Sequence, residues 1–379
     1  MEIHVVHSGE SLWTIANAYG VTAESIIDTN QIQDLPYLIP GMALIIPTRE
    51  SAPFGRIEVN AYIEPSGAGR DAQVLSETGE YLTYIAPFSY QVVEDGSLIA
   101  PRDSLVLQEA ESYGIVPLMV VTNFREGNFD AQLIHGILNN TDIQDTLIQN
   151  VLEVLGDKGY YGVNLDLERI PPEDRENYNN FLRRVVDALH PQGYVVSTAL
   201  APMPYDITEG EWHGAHDYEA HGRIVDFVVL MTYEYGWSGG PPMAVAPVNE
   251  VRRVIEYATS VMPPEKIMMG IPLYGYDWAL PYVPGGDWAG SISPQQALEL
   301  AAGYGATIQY DNVAQSPYFY YWQNGEEHVV WFEDARSIRA KLLLADEFNI
   351  RGISYWVLGF NFPQNWVMLD DMFIVEKLG

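Results

Sequence analysis

From about residue 55 onward, short and nearly continuous apolar runs alternate with stretches of helical periodicity. The runs Ile57–Ile63, Tyr81–Pro87, Val116–Thr122, Gly162–Glu168, Val195–Ala201, Val225–Tyr233, Ile267–Leu273 and Gly352–Leu358 predict strands. Apolar positions at helical spacing predict helices over 102–113, 142–158, 173–188, 248–260 and 333–347. Strands with so little polar alternation are those covered on both faces, and strand alternating with helix implies parallel pairing. Eight such units predict an α/β fold, a closed (β/α)8 TIM barrel, over residues 55–379. Residues 279–332 are too long for one loop. Their hairpin signals, Asn324-Gly325 among aromatic runs, predict a small α+β insertion before the last barrel helix.

The first 48 residues follow a different rhythm. A strand at His4–His7 leads through Ser8-Gly9-Glu10 to Ser11, which has the chemistry of an N-cap, and Leu12, Ile15, Ala16 and Tyr19 recur at helical spacing. Gly20 ends that helix, Thr22 caps a second carrying Ile26 and Ile27, and Pro40-Gly41 turns into a strand at Ala43–Ile46. This βααβ unit is expected to be self-contained, with residues 49–54 as a linker.

The segment Tyr161-Gly-Val-Asn164-Leu-Asp166-Leu-Glu168 breaks the apolar rule in an ordered way. Strand periodicity sends Asn164, Asp166 and Glu168 to one face and Val163, Leu165 and Leu167 to the other. Two carboxylates that close raise at least one pKa, which keeps an acid protonated near neutral pH. A protonated acid beside an ionised one is what glycosidic cleavage requires. In a barrel, the ends of other strands face the same mouth; they supply Tyr62, Phe88, Asn123, Met203, Met231, Tyr233, Glu234, Tyr274 and Trp356. Aromatic faces mixed with hydrogen-bonding groups suit a pyranose ring.

Composition narrows the partners. With 19 basic against 51 acidic residues the formal charge is −32, which disfavours nucleic acid. No apolar run reaches the roughly 18 residues of a membrane span, so no membrane insertion is expected. Cysteine is absent, and the eight histidines show no metal-ligand spacing, so they read as ordinary and no metal site is expected. No phosphate loop or serine nucleophile elbow appears. The N-terminus, Met1-Glu-Ile-His, has neither a basic n-region nor a long apolar h-region, so no secretory signal peptide is evident.

Residues 1–48, with Gly9, Asn30, Gly41 and Pro47 in order, resemble a LysM domain, which implies binding of peptidoglycan or chitin-type N-acetylated glycans. Residues 55–379 resemble glycoside hydrolase family 18. That family's Asp-x-x-Asp-x-Asp-x-Glu strand appears with Tyr161 and Asn164 at its first two acidic positions and with Asp166 and Glu168 at the last two; its Met-x-Tyr-Asp appears as Met231-Thr-Tyr233-Glu234; its eighth-strand tryptophan matches Trp356. The resemblance implies a retaining, substrate-assisted hydrolysis with no cofactor. Glu168 would be the acid and base, Asp166 would orient the substrate's acetamide, Tyr233 would donate to the acetamido oxygen, and Trp356 would floor the sugar site. Asn164, Met231, Glu234, Phe88, Tyr62 and Tyr274 are expected to contact substrate. Asn164 can hydrogen-bond Asp166 but cannot share its proton.

LysM, the Asn-x-Asp-x-Glu core and the missing signal together resemble the cortical-fragment-lytic N-acetylglucosaminidases of spore-forming bacteria. That resemblance implies cleavage of spore peptidoglycan fragments and a place in the spore coat, cortex or cell wall. The alternatives are a chitinase or endo-acting N-acetylglucosaminidase, and an inactive glycan-binding scaffold.

Overall fold

The computed structural model describes residues 1–48 and 52–378, so most of the expected 49–54 linker's first half lies outside the described residues. Eight strands form a closed parallel barrel: Gly55–Ile63, Tyr84–Pro87, Val116–Thr122, Gly162–Asp166, Val195–Leu200, Phe227–Leu230, Ile267–Pro272 and Gly352–Trp356. Consecutive strands pair in order, and the eighth returns to the first with Gly352 opposite Glu58 and Tyr355 opposite Ala61. The helices face the barrel's outer surface, where Val163, Leu165 and Leu167 are buried in one continuous apolar core. A final strand, Phe373–Val375, pairs with the start of the first barrel strand and was not legible in the sequence.

Six predicted strands are shorter than expected, and three of the truncations have a clear local cause. Residues 79–81 form a 3-10 turn, so the second strand starts at Tyr84. The fourth ends at Asp166, where Glu168 N–H donates to the Asn123 side chain instead of to a neighbouring strand. The sixth ends at Leu230, after which Thr232 N–H bonds Leu230 C=O and Tyr233 N–H bonds Met231 C=O. Those tight turns take Tyr233 out of the ladder.

The insertion is a five-stranded antiparallel sheet with one helix, Pro294–Tyr304. It starts at Gly275, four residues before the expected boundary of 279. The chain from Ile267 to Leu280 carries a single charged residue, Asp277, so no marked change in polarity shows where it leaves the barrel. Ser293 caps the insertion's helix in a reciprocal box with Gln296, and Gly305 closes it in the left-handed region.

Residues 1–48 fold as expected locally: strands Glu2–Val5 and Ala43–Ile46 pair antiparallel around helices Leu12–Tyr19 and Ala23–Asn30, with Ser11 and Thr22 as caps. The unit is not self-contained, however. Its buried Ile26, Ile39 and Leu44 belong to the same core as Leu298, Phe319 and Val330 of the insertion. A small module with few apolar residues gains most by borrowing a neighbour's apolar face. The seam is polar too. Asn30 donates through Nδ2 to Ile26 O and Ile45 O, and its Oδ1 accepts from Ile45 N–H and from Gln364 Nε2, each at 2.8 Å. Gly41 adopts φ +86°, and a Cβ there would lie 1.8 Å from Ile308 O. Only glycine permits that approach.

Asn30→Ala would strand several buried partners, Gln364 of the barrel among them. We expect a loss of about 2–4 kcal/mol, read from urea unfolding followed by tryptophan fluorescence. Because the core is shared, one cooperative transition should shift; an early separate transition of the N-terminal unit would contradict the shared core.

Candidate active site

The fourth strand brings its three polar residues to the inner face, and they divide the work. Asn164 is fully buried; its Oδ1 accepts from Tyr62 Oη at 2.8 Å and its Nδ2 donates to Ser197 Oγ at 2.9 Å. Both ends of the amide are thus spoken for sideways, across neighbouring strands. Asn164 makes no hydrogen bond to Asp166; its amide is given to Tyr62 and Ser197 instead.

Asp166 sits one step higher, and its buried Oδ1 has no hydrogen-bond partner. Desolvation pushes its carboxyl up to about 7. Glu168, beyond the strand end, stays partly exposed to the cleft. Burial of its carboxyl, and then the charge of Asp166, raise its pKa well above the usual carboxylate range. The two titrate as a pair, and the direction for both is upward. Burial thus favours the neutral form of each carboxyl relative to an exposed one.

Tyr233 is buried, and its phenol is raised by burial first and then by the charges of Tyr62, Asp166, Glu168 and Glu234. Trp356, at the end of the eighth strand, is held edge-on by Tyr62 and Phe88, with ring centroids 5.5 and 5.0 Å away. Tyr62 is itself buried, with its hydroxyl given to Asn164, so it orients the tryptophan and the amide. Glu234 has φ +62° and turns outward to the rim, where its Oε1 accepts from Tyr276 Oη at 2.9 Å and from Tyr274 Oη. Tyr274 is therefore committed to Glu234, one residue beyond Tyr233. Met231 is half-buried at the end of the sixth strand and packs on the main core.

Two residues that frame the site were missed or undervalued. Asn123 Nδ2 donates to Glu168 O at 2.8 Å while its Oδ1 accepts from Glu168 N–H at 3.0 Å, so one side chain clamps the backbone of the acid. Asn123 was legible only as a polar strand end. His216, read as ordinary, accepts from Ala201 N–H through Nδ1 at 2.9 Å, which leaves Nε2–H to donate to Leu167 O at 3.2 Å. Burial first of all pushes its pKa down to about 4, so it stays neutral and keeps that tautomer. Nothing in the spacing of His216 announced this; it comes from a loop 49 residues beyond Leu167.

The glycosyl hydrolases family 18 model matches residues 127–361, and the LysM domain model matches residues 4–47. The cortical fragment-lytic enzyme of Bacillus subtilis is 46% identical, the match covering 100% of this chain and 99% of that protein. The chain belongs to glycosyl hydrolase family 18. It is a glycosidase with a LysM module at its N-terminus, and both parts are of the kind that binds N-acetylated glycans. The cortical fragment-lytic enzyme of Bacillus anthracis is 42% identical over the whole of both chains. Among solved structures, the Bacillus cereus spore cortex-lytic enzyme SleL superposes with a TM-score of 0.95 at 38% identity, covering 100% of this chain and 99% of that one. The family's barrel alone is shared with a Chromobacterium violaceum chitinase, at TM-score 0.76 and 26% identity over 83% of this chain and 98% of that one.

Asp166 has a folded pKa above its unfolded value, so its contribution favours folding at low pH and is lost as pH rises towards 7. Asp166→Asn should therefore be more stable than the parent by on the order of 1–3 kcal/mol at pH 8, and much closer to it at pH 4. Urea titrations at the two pH values test this; a gap that is equal at both, or reversed, would show that Asp166 is not desolvated.

Proposed function

We propose that the protein is an N-acetylglucosaminidase that cleaves spore cortex peptidoglycan fragments by a retaining, substrate-assisted route. The observation that carries this reading is the unpaired Oδ1 of Asp166, a buried acceptor two residues before Glu168, whose carboxyl burial holds towards the neutral form. A buried acceptor without a donor is costly, and an acetamide N–H is a donor of the right kind. In this reading the acetamido oxygen attacks the anomeric carbon as Glu168 gives its proton to the departing glycosidic oxygen. The C1–O bond breaks, and the positive charge spreads over an oxazolinium ring. Asp166 holds the amide N–H and offsets that charge, and Tyr233 steadies the acetamido oxygen. Glu168, now ionised, takes a proton from water as the water opens the ring, which returns the original configuration.

Trp356 is the floor on which the sugar rests, fixed by Tyr62 and Phe88. The wall of Glu234, Tyr274 and Tyr276 closes the side towards the insertion. The preference for cortex fragments over chitin draws support from the full-length likeness to cortical fragment-lytic enzymes. The same likeness supports a site of action in the spore or cell wall of a spore-forming bacterium.

Glu168→Gln removes the transferable proton and nothing else of consequence to packing. Its kcat should fall by at least about 10³-fold with an unfolding midpoint no lower than the parent's. Products from spore cortex fragments and from chitin oligomers, compared by mass spectrometry, test the substrate. New N-acetylglucosamine reducing ends from cortex fragments are expected. Cleavage of chitin oligomers alone would make the protein a chitinase, and no turnover of either would leave a glycan-binding scaffold.

A further inference from the structure

Arg169 directly follows Glu168 and has a left-handed backbone, φ +53°. Its guanidinium spans the mouth of the cleft between loops on both sides of the fourth strand. Nη2 donates to Glu211 Oε2 at 3.1 Å, in the loop after the fifth strand. Nη1 reaches Asn128 Oδ1, in the hairpin after the third strand, at only 3.5 Å. Nε–H is buried and meets no acceptor. The Cζ lies 5.7 Å from the ring centre of Trp212, which is 50% exposed, so the ring is free to touch something besides the arginine.

A structural arginine looks different, and one stands nearby. Arg175 gives Nε to Asp217, Nη1 to Gly214 O and Nη2 to Asp206, and ties down that same loop. Arg169 has one well-formed bond to an exposed carboxylate, a contact at the limit of hydrogen bonding, and an orphaned N–H. A guanidinium is a planar fork matched to a carboxyl or acyl oxygen, and an exposed ion pair exchanges its anion at little cost. In a chain of net charge −32, a cation held beside the acid also lets an anionic polymer approach.

We propose that Arg169, backed by Trp212, reads the acyl oxygen of the lactyl ether carried by every second sugar of peptidoglycan. This rests on the peptidoglycan reading above. Chitin sugars carry hydroxyl and acetamido groups alone, so they offer the fork nothing at that place. The lactyl acyl oxygen occurs as a free carboxylate, as a peptide amide or as a lactam carbonyl, and all three accept from a guanidinium. Arg169 and Trp212 therefore set specificity, and the acid pair performs the cleavage on either polymer.

Affinity measured on an E168Q background isolates this role from turnover. Calorimetry would compare E168Q with E168Q/R169Q on three ligands: a chitin tetramer, a cortex fragment with lactam sugars, and a fragment whose muramic residues carry free carboxylates. We expect a loss of about 10- to 100-fold on the muramoyl ligands and no more than about twofold on the tetramer. A greater loss on the carboxylate than on the lactam identifies the anionic form as the preferred source, and equal losses identify the shared carbonyl. Trp212→Ala should give a smaller loss with the same selectivity. An unchanged affinity, or a parallel loss on all three ligands, overturns the assignment. A wild-type protein that releases nothing from cortex fragments overturns the substrate reading instead, and that control is run first.

Discussion

Everything at the mouth of this barrel depends on keeping a carboxyl pair out of water with one oxygen deliberately unmatched. Asp166 is buried, lacks a donor at Oδ1, and lies within the field of a second carboxyl that is also desolvated. In isolation such a pair would relax, by drawing in water or by rotating a side chain onto a backbone N–H. The structure prevents this by occupying the neighbours. Asn164 is held by Tyr62 and Ser197, and Asn123 takes the backbone of Glu168. His216 bonds the carbonyl between the two acids. Asn164, Asn123 and His216 are thus each committed to a partner other than Asp166, and its Oδ1 stays available to a donor that enters the cleft.

The same principle explains how the N-terminal module is attached. A LysM unit tethered by a flexible linker would sample a volume around the cleft, and its effect would be one of local concentration. Here Ile26, Ile39 and Leu44 share a core with the back of the inserted sheet, and Asn30 is bonded to Gln364 of the barrel. The front of that sheet carries Tyr276, which holds Glu234 at the rim of the active site. One small sheet thus has the glycan-binding module on one side and the catalytic wall on the other. The module and the wall are thus joined through one sheet instead of through a free tether.

How much of this was readable in the residues follows from the range of the interactions. The eight barrel strands were legible because burial on both faces leaves runs of Val, Ile and Leu that nothing else produces. Asp166 and Glu168 stood out because period-two alternation puts carboxyls where that rule demands apolar side chains. Strand ends were misjudged at Leu230 and Asp166 because function, not hydropathy, decides where the chain leaves the ladder there. The start of the insertion at Gly275 was hidden for the opposite reason, since a single charged residue, Asp277, interrupts its first strand. The shared core and His216 were invisible: a core that includes both residue 26 and residue 298, or a hydrogen bond between 216 and 167, has no trace in local pattern. Neutral, buried histidine is chemically an amide-like linker, and composition cannot separate it from a solvated one.

The asparagine at 164 shows how a substitution seen in the sequence acquires its meaning only from its partners. Read alone, Asn for Asp removes a group that could exchange a proton with Asp166. In place, the amide donates to Ser197 and accepts from Tyr62, a combination no carboxylate offers, because an ionised aspartate only accepts. The neighbours are therefore arranged around an amide, and Asp166 has no proton partner beneath it. Its charge must then be governed from above, by Glu168, by Tyr233 and by whatever donor the ligand brings. Burial sets its carboxyl near 7, so near neutral pH neither form dominates. In the proposed route an acetamide N–H and a developing positive charge favour the anion, which offsets that charge while Glu168 handles the proton.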